Sequence, residues 1–121
     1  MANPTLTINH TAQGPIAKRR IVAFGTSDRS AVQATGSSDS LMGVTTELDA
    51  APGERTDVIL AGVADVEYGG NVARGALLTS DAQGRAVEAS SGRVIGIARV
   101  SGVLGDLGEV FIAPSLVNIP E

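Results

Sequence analysis

The chain has no cysteine and no tryptophan, one histidine, and three aromatic residues, Phe24, Tyr68 and Phe111, in 121 positions. Without cysteine there are no disulfides, no thiolate metal sites and no thiol nucleophile. The lack fits a reducing compartment. The lone histidine, His10, has no second imidazole or His-x-Glu partner at metal-ligand spacing, so it reads as a plain polar residue and no metal is expected. The hydroxyls of Ser37, Ser38, Ser90 and Ser91 have no histidine in the body of the chain to activate them, so catalytic residues are expected to be none. Three aromatics cannot build stacking platforms for bases or sugars, which argues against nucleic acid and carbohydrate partners. No apolar run approaches the roughly 20 residues of a membrane helix, so no membrane partner is expected. Met1 to Thr5 lacks the charged and apolar regions of a signal peptide.

What is present is aliphatic. Hydrophobic residues make up 43% of the chain, and nearly all are Ala, Val, Leu and Ile. The length suits one domain. Small side chains bury little area each, at about 25 cal/mol per Å², so such a core is expected to lean on self-association. The net charge is −4, unevenly spread. Lys18, Arg19, Arg20 and Arg29 stand against Asp28 in the first thirty residues; the remainder has five arginines and twelve acids. A basic entry and an acidic body can orient docking on a charged partner.

The pattern is that of short strands between glycine-rich turns. Residues 1–17 read as an N-terminal arm, punctuated by Pro4, Gly14 and Pro15. Within it, Thr5, Leu6, Thr7 and Ile8 alternate polar and apolar, which suits an edge strand or a strand added to a neighbour; a disordered terminus is the alternative. The body, residues 18–113, is expected to start with a strand from Lys18 to Phe24, with Lys18 and Arg20 facing one way and Arg19 the other. Ala31–Ala34, Leu41–Thr46 and Thr56–Ala61 read as further strands, the last preceded by the Pro52-Gly53 turn. Val63–Tyr68 alternates, with Val63, Asp65 and Glu67 on one face and Ala64, Val66 and Tyr68 on the other. Gly69-Gly70 turns the chain, and Asn71–Arg74 is the one place where a helical turn fits. Leu77–Thr79 and Arg85–Ala89 form a hairpin around Ser80–Gly84, where Asp81 caps its own backbone. Arg93–Val100 reads as the most buried strand, Gly102–Gly108 as a loop, Glu109–Ala113 as the last strand, and residues 114–121 as a tail. Strands at this spacing indicate an all-β barrel or compact sandwich with little or no helix. Asp65 and Glu67 read as a solvated outer face rather than an acid–base pair.

The order of these pieces resembles the capsid cement, or head decoration, proteins of tailed phages. The resemblance rests on Gly43-Val44, on Gly75-Ala76-Leu77-Leu78-Thr79-Ser80-Asp81-Ala82-Gln83-Gly84-Arg85, on Val94-Ile95-Gly96-Ile97-Ala98, and on Gly105-Asp106-Leu107-Gly108-Glu109-Val110. It implies a small β-tulip-like domain with an N-terminal arm and no cofactor. It implies a homotrimer on the outer surface of the mature capsid, joining neighbouring major capsid protein subunits against the pressure of packed DNA. On this chain the family's arm contact maps to residues 1–17, with Thr5, Leu6, Thr7 and Ile8 the candidate for strand addition. By their charge, Lys18, Arg19 and Arg20 either meet an acidic shell surface or form a solvated strand start. A tail or head-completion protein and a small β-barrel binding module are the rival expectations.

Overall fold

The computed structural model describes residues 2–117. Nine strands follow one another: β1 (Asn3–Ala12), β2 (Ile21–Phe24), β3 (Ser30–Gln33), β4 (Leu41–Thr45), β5 (Arg55–Glu67), β6 (Leu77–Ser80), β7 (Ala86–Glu88), β8 (Gly92–Ala98) and β9 (Leu107–Val117). Among the described residues there is no helix. The strands form one sheet in the order β1-β3-β2-β4-β5-β9-β8-β6-β7, and β1 also pairs with β5, which closes the first five strands into a ring. The all-β expectation holds.

Several boundaries differ from the sequence reading. Lys18 to Arg20 are not strand: Arg19 takes a left-handed φ of 56° in a turn, and β2 starts at Ile21. The simple alternation expected for this triplet is therefore lost. The segments expected as two strands, Thr56–Ala61 and Val63–Tyr68, are one continuous strand, β5. Asn71–Arg74 makes no helical turn; Val72 forms an antiparallel bridge to Gly102. Gly70 is not among the glycines of positive φ; in that connection the left-handed residue is Gly75, at φ 91°. β9 runs on to Val117, past the residue where a tail was expected to begin.

The chain folds as two halves with matching pairings. In the first, β2 pairs with β3 (Val22↔Gln33) and with β4 (Val22↔Gly43), and β4 pairs with β5 (Val44↔Ile59). In the second, β6 pairs with β7 (Leu78↔Glu88) and with β8 (Leu78↔Gly96), and β8 pairs with β9 (Ile97↔Phe111). The parallel contact Ala12↔Ala31 has its counterpart in Tyr68↔Ala86. β1 lies antiparallel on the start of β5 as the end of β5 lies on β9. The reciprocal bridge Ile16↔Ala50 matches Val72↔Gly102. Each of these four bridge residues leads into a turn with one left-handed residue: Arg19, Gly53, Gly75 and Gly105. Even the close approaches repeat. A Cβ on Gly43 would meet the Ile59 carbonyl, and one on Gly96 the Phe111 carbonyl.

Two apolar clusters fill the molecule. The smaller lies inside the first half: Ala12, Ile16, Val22, Ala31, Met42, Ala50 and Val58. The larger holds the counterparts of most of these, including Tyr68, Val72, Leu78, Ala86, Ile95 and Val110, together with Ile21, Val44 and Ile59 from the first half. The second half thus packs its inner face on the outer row of the first.

Candidate interaction surfaces

β1 is the first exposed element. His10 and Ala12 anchor its end in the interior. The His10 Nδ1–H donates to the Ile8 carbonyl at 2.9 Å, which satisfies that nitrogen within the strand itself. From Asn3 to Asn9 every residue is exposed, on both faces. Thr5, Leu6, Thr7 and Ile8 therefore lie along β5 of the same chain, not in a detached arm. Among the described residues the second edge of β1 is paired only at Thr11 and Ala12, with β3. Its outer part offers unpaired backbone groups beside the exposed side chains of Leu6 and Ile8.

The basic triplet separates into different roles. The Arg20 guanidinium turns inward: Nη1 donates to the Gln83 carbonyl at 2.8 Å and Nη2 lies 3.3 Å from Glu67 Oε1. Its Nε is buried without a partner among the described residues. Arg85 closes the same network, with Nε 2.9 Å from Asp81 Oδ2 and Nη1 4.0 Å from Glu67 Oε2. Asp81 caps its turn as expected, accepting from the Gln83 and Arg85 amides at 2.9 and 2.8 Å. Arg20 thus ties the β6–β7 hairpin to β5 rather than facing outward. Arg19 Nη1 sits 3.4 Å from Asp65 Oδ2. Lys18 is exposed, and among the described residues its ammonium has no recorded ion pair. It borders a recess of about 320 Å³ lined by Arg19, Glu47, Glu67, Gly105 and Leu107. Asp65 and Glu67 stand on the outer face as expected, half-buried under these arginines.

The sequence reading missed a third surface, the outer face of β6, β8, β9 and β5. Leu77 stands opposite Ile97, Ile97 opposite Phe111, and Phe111 opposite Val63. Directly paired residues share a face, so these four side chains form one apolar row across four strands. Beside it runs a charged row: Arg99 to Glu109 at 2.9 Å, Glu109 opposite Asp65, then Arg19. The alternation around Ile97 and Phe111 carried the signal, since each sits between buried neighbours on its own strand.

Among the described residues no group of three or more His, Cys, Asp or Glu could hold a metal. Tyr68 is fully buried, its hydroxyl donating to the Val100 carbonyl at 2.7 Å. Burial, and then the nearby Glu109 and Asp106 carboxylates, push its pKa above the usual phenol value. It is a neutral structural hydroxyl at physiological pH.

A family model described as phage cement protein matches residues 2–106. The chain belongs to this family. This cement protein is a capsid-stabilising structural component of the virion. No curated protein matches it. A solved structure, the crystal structure of the head fiber gp8.5 N base in bacteriophage phi29, resembles it with a TM-score of 0.69 and 23% identity, over 94% of this chain and 98% of that one. At that identity the likeness speaks for the fold. The cement family match spans every strand from β1 to β8, and so includes both halves up to the final turn.

Proposed function

We propose that this cement protein sits on the outer surface of the mature capsid as a homotrimer and joins neighbouring major capsid protein subunits through β1 and the turn at Lys18. It is made in the host cytoplasm and acts on the capsid by holding, not by catalysis. The observation that carries the reading is β1 itself: a strand anchored at His10 whose outer part leaves both faces and one edge uncovered. Such an edge can accept a strand from a shell subunit, with Leu6 and Ile8 supplying apolar contact. Lys18 offers the outward charge of the basic turn. Arg19 and Arg20 act at one remove, holding the turn in place through Asp65 and Glu67. Each contact is modest, but many copies on one particle multiply it, and binding to the closed shell alone favours that shell by mass action.

Co-sedimentation with undecorated expanded shells and with unexpanded procapsids of the cognate phage tests this. Saturable binding to expanded shells only is expected. Ile8→Asp and Lys18→Glu should each weaken it, the pair by about tenfold or more, equivalent to about 1.4 kcal/mol. Wild-type affinity in the double variant would remove β1 and the basic turn from the contact. No binding of the wild-type protein to either shell would refute the reading.

A further inference from the structure

The two halves build one turn twice. After the bridge residue Ala50, the Ala51 amide donates to Glu54 Oε1 at 2.7 Å and the Glu54 amide to the Ala51 carbonyl at 3.0 Å. The Gly53 amide donates to the Ala12 carbonyl, and the Ala12 amide to the Glu54 carbonyl, both at 2.8 Å. After Gly102, the Val103 amide donates to Asp106 Oδ2 at 2.9 Å and the Asp106 amide to the Val103 carbonyl at 3.0 Å. The Gly105 amide donates to the Tyr68 carbonyl at 2.9 Å, and the Tyr68 amide to the Asp106 carbonyl at 2.7 Å. Every bond has its counterpart, and Gly53 and Gly105 are both left-handed. The side chains at the tip do not match. Ala51, Pro52 and Arg55 stand where the second turn carries Val103, Leu104 and Leu107, which are 55%, 61% and 55% exposed. The first turn closes without large aliphatic side chains, so the turn itself does not require them. Three such side chains held in water on a pinned turn form a preorganised contact.

We infer that the Val103–Leu107 turn is an apolar anchor that seats on the shell subunit, at a patch where an apolar surface adjoins a carboxylate. The inference rests on the proposed function and deepens it, adding a contact from the second half to the one made at Lys18. Two observations select this occupant. The first is continuity: Gly105 and Leu107 line the recess of about 320 Å³ together with Lys18 and Arg19, so the tip adjoins the turn assigned to the shell. The second is charge. Leu107 stands opposite Glu67, whose carboxylate lies near the Arg20 and Arg85 guanidinium groups, and Arg19 lies against Asp65. Of the cations lining the recess, Lys18 is the one whose charge has no recorded ion pair among the described residues, and it calls for a carboxylate from outside. Glu47 and Glu67 line the same recess and Asp106 sits in the turn, so an anionic lipid surface meets repulsion there. A folded protein can place one carboxylate at Lys18 and an apolar group on Leu104 and Leu107, giving an apolar centre with a charged rim.

Co-sedimentation with expanded shells tests this with substitutions at exposed side chains that leave the turn's hydrogen bonds in place. Leu104→Ser and Leu107→Ser should each weaken binding by about tenfold, with Tm little changed. Pro52→Ser, at the counterpart of Leu104, should keep wild-type affinity. If the wild type binds and both serine variants bind as tightly, the anchor is refuted while the capsid reading stands. An equal loss in Pro52→Ser would also overturn the anchor, because the apolar tip would then not be its cause. A wild-type protein that binds no shell refutes both readings. Should the serine variants fold poorly, hydroxyl-radical footprinting of the unaltered protein reads the same contact. Oxidation of Leu104 and Leu107 should fall several-fold on the shell, and unchanged oxidation would overturn the inference.

Discussion

Removing the Tyr68 hydroxyl isolates one buried polar contact, because Tyr68 is the only tyrosine of the chain. Its ring is fully buried in the larger cluster, packed where Gly102 and Gly108 leave no room for a Cβ. Tyr68→Phe keeps that packing and loses the 2.7 Å bond to the Val100 carbonyl. The net loss of such a bond, with one acceptor left short, is about 1–2 kcal/mol. For a domain of this size that lowers Tm by roughly 4–8 °C at neutral pH. The pH dependence adds a second reading. The folded-state pKa lies above 10.0, so between that value and the folded pKa the unfolded chain releases its proton first. Deprotonation then favours the unfolded state: the contribution is intact below about pH 10 and is lost as pH rises through the folded pKa, with a slope of up to about 1.4 kcal/mol per pH unit. Urea melts from pH 7 to 11 should show a steeper alkaline loss in the wild type than in Tyr68→Phe. Tyrosinate absorbance should appear together with unfolding. A folded protein whose phenol titrates like a free tyrosine would refute the argument, as would a variant with unchanged Tm.

Other substitutions address the two-half architecture and the inward arginine. Gly43→Ala and Gly96→Ala each drive a Cβ into a neighbouring strand's carbonyl, and each should cost about 1–3 kcal/mol in denaturant melts; a neutral result at either would break the equivalence of the halves. Gly105→Ala places a side chain at φ 91° and should cost about 1 kcal/mol or more, whereas Gly70→Val, at a glycine without positive φ and with nothing within 4 Å, should change Tm little. Arg20→Met should loosen the β6–β7 hairpin, by about 1 kcal/mol, and accelerate amide exchange at Gln83 and Arg85 more than in β2.

The cement family was legible in the ordered run of glycine steps and apolar strands, and the match over residues 2–106 bears it out. The matching of the two halves was not read from the sequence. Leu41-Met42-Gly43-Val44 against Val94-Ile95-Gly96-Ile97, and Val58-Ile59-Leu60 against Val110-Phe111-Ile112, are its clearest traces in sequence. They conserve shape and polarity, not identity, because a strand position asks only for an apolar side chain of suitable size.

By itself the sequence determined what is local. Alternation placed Asp65 and Glu67 outward and Ala64, Val66 and Tyr68 inward, and Asp81 with Gly84 made the hairpin loop. These follow from the two-residue period of a strand and the chemistry of a turn. The tertiary structure alone decided which arginine is tied inward, that β1 lies on β5, and which of two equivalent apolar rows is covered. A row of Ile21, Val44 and Ile59 and a row of Leu77, Ile97 and Phe111 are the same pattern along the chain. Burial is a property of what packs on top, and only the order of the two halves in space puts a partner over one and leaves the other open.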